Sequence, residues 1–130
     1  MLDQLIQDQP QFEAKGLALA AITQGKPGEA KLFCQQRAPT IACLADPERN
    51  AYRAYGIGKL NFFSIFSKGA REARAKAGAR GHTAEMPPRG QDALQLPATF
   101  VIGREGRTLF AHYYRFSGDH PSLELIFKSL

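Results

Sequence analysis

A chain of 130 residues with 44% hydrophobic side chains has the size and composition of one globular domain, and no run approaches the roughly 20 apolar residues of a membrane span. The net charge of +5 arises from 17 Lys and Arg against 12 Asp and Glu. The whole excess falls between residues 59 and 90, where Lys59, Lys68, Arg71, Arg74, Lys76, Arg80 and Arg89 meet only Glu72 and Glu85, so basicity belongs to one segment and not to the fold.

The first ten residues are broken by acids and amides, unlike a secretory leader, and a cytoplasmic location is expected. Leu2, Leu5, Ile6 and Phe12 form the stripe of an amphipathic helix mapped to residues 2 to 15, with Pro10 kinking its second half and Gly16 ending it. The apolar run from Leu17 to Thr23, closed by Gly25, Pro27 and Gly28, predicts a strand covered on both faces, as in a parallel sheet. Gly28 to Arg37 predicts a short helix with Ala30, Phe33 and Cys34 on one side, stopped by Pro39, and Ile41 to Leu44 predicts a second strand. The strand, helix, strand spacing is that of a right-handed βαβ unit with parallel strands.

Asp46 and Pro47 then supply an N-cap and a first helical residue for a helix carrying Tyr52 and Tyr55, with Gly56 as its stop. The pattern changes over residues 59–90: an aromatic cluster of Phe62, Phe63 and Phe66, a basic helix from about Ser67 to Ala79, and a loop from Gly81 to Gly90. This reads as an insertion on a single domain of residues 1–130. Ala98 to Gly103 and Thr108 to Tyr113 predict two strands joined as a hairpin through Arg104 to Arg107. Asp119 and Pro121 are expected to start a last helix, Pro121 to Ser129, with Leu123, Ile126 and Phe127 inward.

Several segments together resemble the peroxiredoxin-like AhpC/TSA (redoxin) family. The strand ending in Ala21-Ile22-Thr23, the segment Cys43-Leu44-Ala45-Asp46-Pro47 with Tyr52-Arg53-Ala54-Tyr55-Gly56, and the hairpin Leu96-Pro97-Ala98-Thr99-Phe100-Val101-Ile102-Gly103-Arg104-Glu105-Gly106-Arg107 are similar to the family's segments in order and spacing. Gly103 stands where the family usually has Asp. The resemblance implies an α/β fold: a thioredoxin-like three-layer α/β/α sandwich with a mixed sheet, here lacking its first strand and carrying the basic helical insertion. It implies a cis Pro97 which, with Thr99, shapes an active site, and a reactive cysteine a few residues before Met1. It also implies a thiol-dependent antioxidant oxidoreductase, reducing peroxides or exchanging disulfides, truncated or inactive in this form and without a cofactor. Its partner would be a thiol reductant such as a thioredoxin-type protein. The alternative is a non-catalytic thioredoxin-like module for homodimerisation or partner binding.

Cys34 and Cys43 are the candidate redox thiols. They are too few for a disulfide framework and are not spaced as a zinc site. Cys34 could act as a resolving thiol or pair with Cys43 across a helix and strand, while the preferred reading is that both are core residues, because free cysteine is among the most buried residue types. His82, His112 and His120 have no helical metal-site spacing and no carboxylate cluster beside them, so no metal is expected. Lys68, Arg71, Arg74 and Lys76 form a basic surface that could meet lipid headgroups or nucleic acid. A solvated helix whose aromatic end packs on the domain or on a second subunit is the preferred reading.

Overall fold

The computed structural model describes residues 2–60, 71–72, 75–76, 90–116 and 118–130. It divides into two compact units, Met1–Ala51 with Pro87–Asp92, and Tyr52–Met86 with Ala93–Leu130.

The first unit opens with α1 (Leu2–Gln7) and α2 (Gln9–Ala14), the predicted helix broken in two. Pro10 lies in the first turn of α2, where its missing N–H is harmless, so the helix restarts there. Phe12 is the buried anchor of this pair. The stop at Gly16 has a definite cause: Gly16 adopts φ +74°, its N–H donates to the Glu13 carbonyl at 2.8 Å, and the Leu17 N–H donates to the Phe12 carbonyl at 3.0 Å. This is the Schellman arrangement, which requires the left-handed conformation that glycine tolerates best.

Strand β1 (Ala20–Thr23) pairs in parallel with β2 (Ala42–Ala45), with Ala21 opposite Cys43 and Ile22 opposite Leu44. Helix α3 (Pro27–Arg37) connects them, completing the expected βαβ unit. Two expectations change. The first strand is four residues long, and it is not covered on both faces: Ala20, Ile22, Ala42 and Leu44 share an exposed face, with Ile22 45% and Leu44 55% exposed. Phe33 is also 43% exposed, because the buried row of α3 follows the i, i+4 spacing of Ala30, Cys34 and Ala38 and leaves Phe33 to one side.

After β2 the chain turns at Asp46, whose carboxylate oxygens accept the N–H groups of Asn50 and Ala51, each at 2.8 Å. Asp46 therefore caps as expected, but α4 (Asn50–Ala54) starts later than Pro47, since Arg49 at φ 57° interrupts the helical run. The Arg49 guanidinium pairs with Asp92 at 2.8 Å. The Gln24 side chain also holds Asp92, donating to its carbonyl at 2.9 Å and accepting its N–H at 2.8 Å, as a neighbouring strand would.

In the second unit Gly56, at φ +67°, repeats the stop seen at Gly16. Its N–H donates to the Arg53 carbonyl, and the Ile57 N–H to the Tyr52 carbonyl at 2.8 Å. Lys59 then bridges Gln95 in antiparallel sense, flanked by Leu60 N–H donating to Leu94 O at 2.6 Å and Leu96 N–H donating to Gly58 O at 3.2 Å. Strands β3 (Ala98–Ile102) and β4 (Thr108–Tyr113) form the predicted hairpin, with an irregularity at Val101/Ile102 and Gly106 at φ +79° in the turn. Tyr55, Phe100 and Tyr113 contact one another in sequence, the first pair tilted and the second edge to face, with centroids 4.8 and 5.4 Å apart, and the Tyr113 hydroxyl donates to the Tyr55 carbonyl at 2.8 Å.

Helix α5 (Leu123–Phe127) closes the chain, with Ile126 buried. Its N-cap is Ser122, whose Oγ accepts the Leu125 N–H at 3.2 Å. The expected start at Asp119 and Pro121 is thus corrected, because the Asp119 carboxylate is taken by Arg115 at 3.1 Å.

Among the described residues the strands form two sheets of two, one parallel and one antiparallel, and not one continuous mixed sheet. The mixed α/β content is compatible with a thioredoxin-like fold. No helix among these residues is long and apolar enough to cross a membrane. Arg71, Glu72, Ala75 and Lys76 are helical and exposed. Phe62, Phe63, Phe66, Lys68, Arg74, Arg80, His82, Glu85 and Arg89 lie outside the described residues, as does the rest of the expected basic helix and most of its following loop.

Candidate functional site

The two cysteines are brought together by the βαβ unit. Pro27 begins α3, and the Glu29 side chain accepts the Lys26 N–H at 3.0 Å, satisfying one of the donors that every helix leaves free at its start. From there the four-residue spacing carries Cys34 onto the same buried row as Ala30 and Ala38. In β2 the two-residue alternation turns Cys43 and Ala45 away from the exposed face that holds Ala42 and Leu44. Cys34 and Cys43 meet and form a disulfide with Cα atoms 6.3 Å apart, inside the range a cystine spans.

The two cysteines differ in exposure. Cys34 is 5% exposed, whereas Cys43 remains partly exposed. Both line an open groove of about 620 Å³. One wall is α3, through Ala30, Lys31 and Gln35, and the other is β2 with Ile41 before it. The lining is largely apolar, and Lys31 contributes its cation.

The hairpin residues Pro97 and Thr99 form a separate group in the second unit. Pro97 is exposed, its carbonyl accepts the Tyr114 N–H at 3.3 Å, and its peptide bond is trans. The cis expectation is corrected. The trans isomer of an X–Pro bond is favoured by about 0.5–1 kcal/mol, and Pro97, exposed just before β3, adopts it. Thr99 Oγ1 lies 3.1 Å from the Tyr114 hydroxyl. Burial pushes the Tyr114 phenol above its ordinary value, with the Thr99 hydrogen bond opposing and the Asp119 charge reinforcing the rise.

His112, opposite Thr99 across the hairpin, approaches the Asp119 carbonyl through Nε2 at 2.7 Å and the Asp119 carboxylate at 3.7 Å. Burial works to raise the Asp119 carboxyl. The hydrogen bonds from the Arg115 side chain and backbone, and the charges of Arg115 and His112, outweigh it and hold the group below the usual aspartate range. Asp119 therefore stays ionised and ties the end of β4 to the following turn. Sequence reading missed this cluster, although the hairpin register places Thr99 opposite His112, two residues before Tyr114. Among the described residues no group of three or more His, Cys, Asp or Glu is assembled as a metal site.

A βαβ unit holding a cystine between helix and strand, followed by an antiparallel hairpin, defines an α/β protein compatible with the thioredoxin-like class. Residues 4–115 match the family model described as AhpC/TSA antioxidant enzyme, and the chain belongs to that family. Searches of curated proteins and of solved structures returned no significant match.

Proposed function

We propose that this member of the family is a thiol–disulfide oxidoreductase whose redox couple is Cys34 and Cys43. The observation that carries the reading is the cystine at the wall of an open groove, with Cys43 partly exposed. A dithiol partner of thioredoxin type gives two electrons and two protons. The Cys34–Cys43 bond becomes two thiols, and the partner's two thiols become a disulfide. The reverse reaction passes the electrons to an oxidised partner.

Disulfide exchange suits these two positions better than direct attack on a peroxide. A peroxide-cleaving cysteine needs a stabilised thiolate, typically at a helix N-terminus or beside cations. Cys34 sits in the second half of α3, toward the negative end of the helix dipole, and Cys43 sits in a strand. The test is a redox titration in buffers of defined dithiol and disulfide ratio, counting protein thiols at each point. A reversible two-electron transition that vanishes in both Cys34→Ser and Cys43→Ser is expected. A pair that stays oxidised throughout, or two thiols titrating independently, would refute the assignment.

The exposed apolar sheet face around Ile22 and Leu44 favours a second reading, a non-catalytic module that binds a partner or a second copy of itself. Sedimentation measurements separate the two. On this reading the chain dimerises through that face, and Ile22→Glu, away from the groove, makes it monomeric without altering its thiol chemistry.

A further inference from the structure

Resting on the exchange reading above, we infer that the reaction has a fixed direction of entry: the incoming thiolate attacks Cys43 Sγ, and Cys34 Sγ is the sulfur that leaves. Thiol–disulfide exchange is a displacement in which the attacking sulfur, the attacked sulfur and the leaving sulfur form a line, so the attacked sulfur must be open on the side away from its partner. Cys34 is 5% exposed, on the row with Ala30 and Ala38. Cys43 keeps part of its surface on the groove, between Ile41 and Ala45. Both residues line the groove, and Cys43 is the more exposed of the two, so Cys43 is the one an approach through the groove meets more readily.

One effect opposes this assignment. Cys34 lies in the last half of α3, where the helix dipole disfavours a departing thiolate. A dipole contribution of that kind changes a rate by a factor of about two to five at a surface site and up to about thirty where the group is partly buried. Closure of the approach to a buried sulfur is the larger obstacle, so access decides the regiochemistry and the leaving group only sets the pace.

The electron balance follows. The thiolate of a dithiol forms a bond to Cys43 Sγ as the Cys43–Cys34 bond breaks, and its electron pair leaves on Cys34 Sγ, which takes up a proton. The partner's second thiolate then attacks its own sulfur in the mixed disulfide, releasing Cys43 as a thiol and closing the partner's disulfide. Cys43 is thus the catalytic sulfur that touches substrate. Cys34 is the returning thiol that clears the mixed disulfide when no second partner thiol is available.

The experiment uses the oxidised wild-type chain, so no variant has to fold. Excess glutathione is added, the reaction is quenched in acid within its first turnover, and the adduct is located by peptide mass mapping. Glutathione on Cys43 is expected, and adducts mainly on Cys34 would overturn the inference. A second measurement reacts the single thiol of Cys34→Ser and of Cys43→Ser with an aromatic disulfide reagent. Cys43 in the first variant should react at least about ten-fold faster than Cys34 in the second, and equal or reversed rates would overturn it. A titration showing the couple to be active while the adduct sits on Cys34 would leave the exchange function standing and remove only its direction. An inactive couple gives no adduct on either cysteine and removes the exchange function itself.

Discussion

Reduction of the Cys34–Cys43 bond should lower the stability of the chain by an amount set almost entirely by the unfolded state. The cystine closes a short loop, with the two residues nine apart in sequence. Loop-closure entropy for about ten residues corresponds to roughly 2.5–3 kcal/mol at 25 °C. The folded side of the balance changes little, because a free thiol at Cys34 is an apolar group on an already buried row beside Ala30 and Ala38. At this chain length each kcal/mol moves the melting temperature by roughly 4 °C, so complete reduction should lower Tm by about 10 °C. The assay is thermal unfolding followed by circular dichroism, with and without a phosphine reductant, with thiols counted in each sample. A fully reduced chain melting within about 3 °C of the oxidised one would refute the reasoning, since the loop would then not be what the bond restrains.

Three further outcomes test other parts of the structure. Asp46→Ala removes the acceptor for the N–H groups of both Asn50 and Ala51 and should cost about 1–2 kcal/mol in urea unfolding, with Asp46→Asn recovering much of it. Gly56→Ala forces a side chain into φ +67° and should cost about 1–2 kcal/mol. A Cβ there meets nothing within 4 Å, so the cost is backbone strain alone, and the equally open Gly58→Ala, which has no positive φ, should be near neutral in the same assay. Asp119 titrates below its ordinary value of 3.8 when folded, so the unfolded chain binds its proton first on acidification. Its contribution is present above the ordinary value and is lost as pH falls through the lowered one, and Asp119→Asn should flatten this part of the acid limb in pH-dependent melting.

The parts of the fold that were legible in the sequence are those governed by local backbone chemistry. Pro10 breaks the first helix because proline removes a donor, and Gly16 and Gly56 end theirs because both stops require a left-handed residue. The hairpin followed from two alternating runs around a glycine turn. Features that depend on register were not legible. A nine-residue spacing is compatible with a cystine or with two separate core thiols, and the choice rests on β2 running from Ala42 to Ala45, which sets Cys43 on the covered side; a one-residue slip would reverse it. Phe33 was misplaced for a similar reason, since i, i+3 and i, i+4 rows look alike until one of them meets a strand. Asp119 was the expected start of the last helix, and only the position of Arg115 shows that it is engaged elsewhere and that Ser122 caps instead.

The antiparallel closure of Gly58, Lys59 and Leu60 on Leu94, Gln95 and Leu96 fixes where the chain departs toward its basic stretch and where it comes back. The point of departure at Leu60 and the point of return at Leu94 are thus already joined by hydrogen bonds. Lengthening the stretch between them costs only about 0.6 kcal/mol for each doubling. An inserted tag or sensor between those anchors should therefore add little closure cost and leave the register of the hairpin intact, provided that Asp92 keeps its bonds to Gln24 and Arg49.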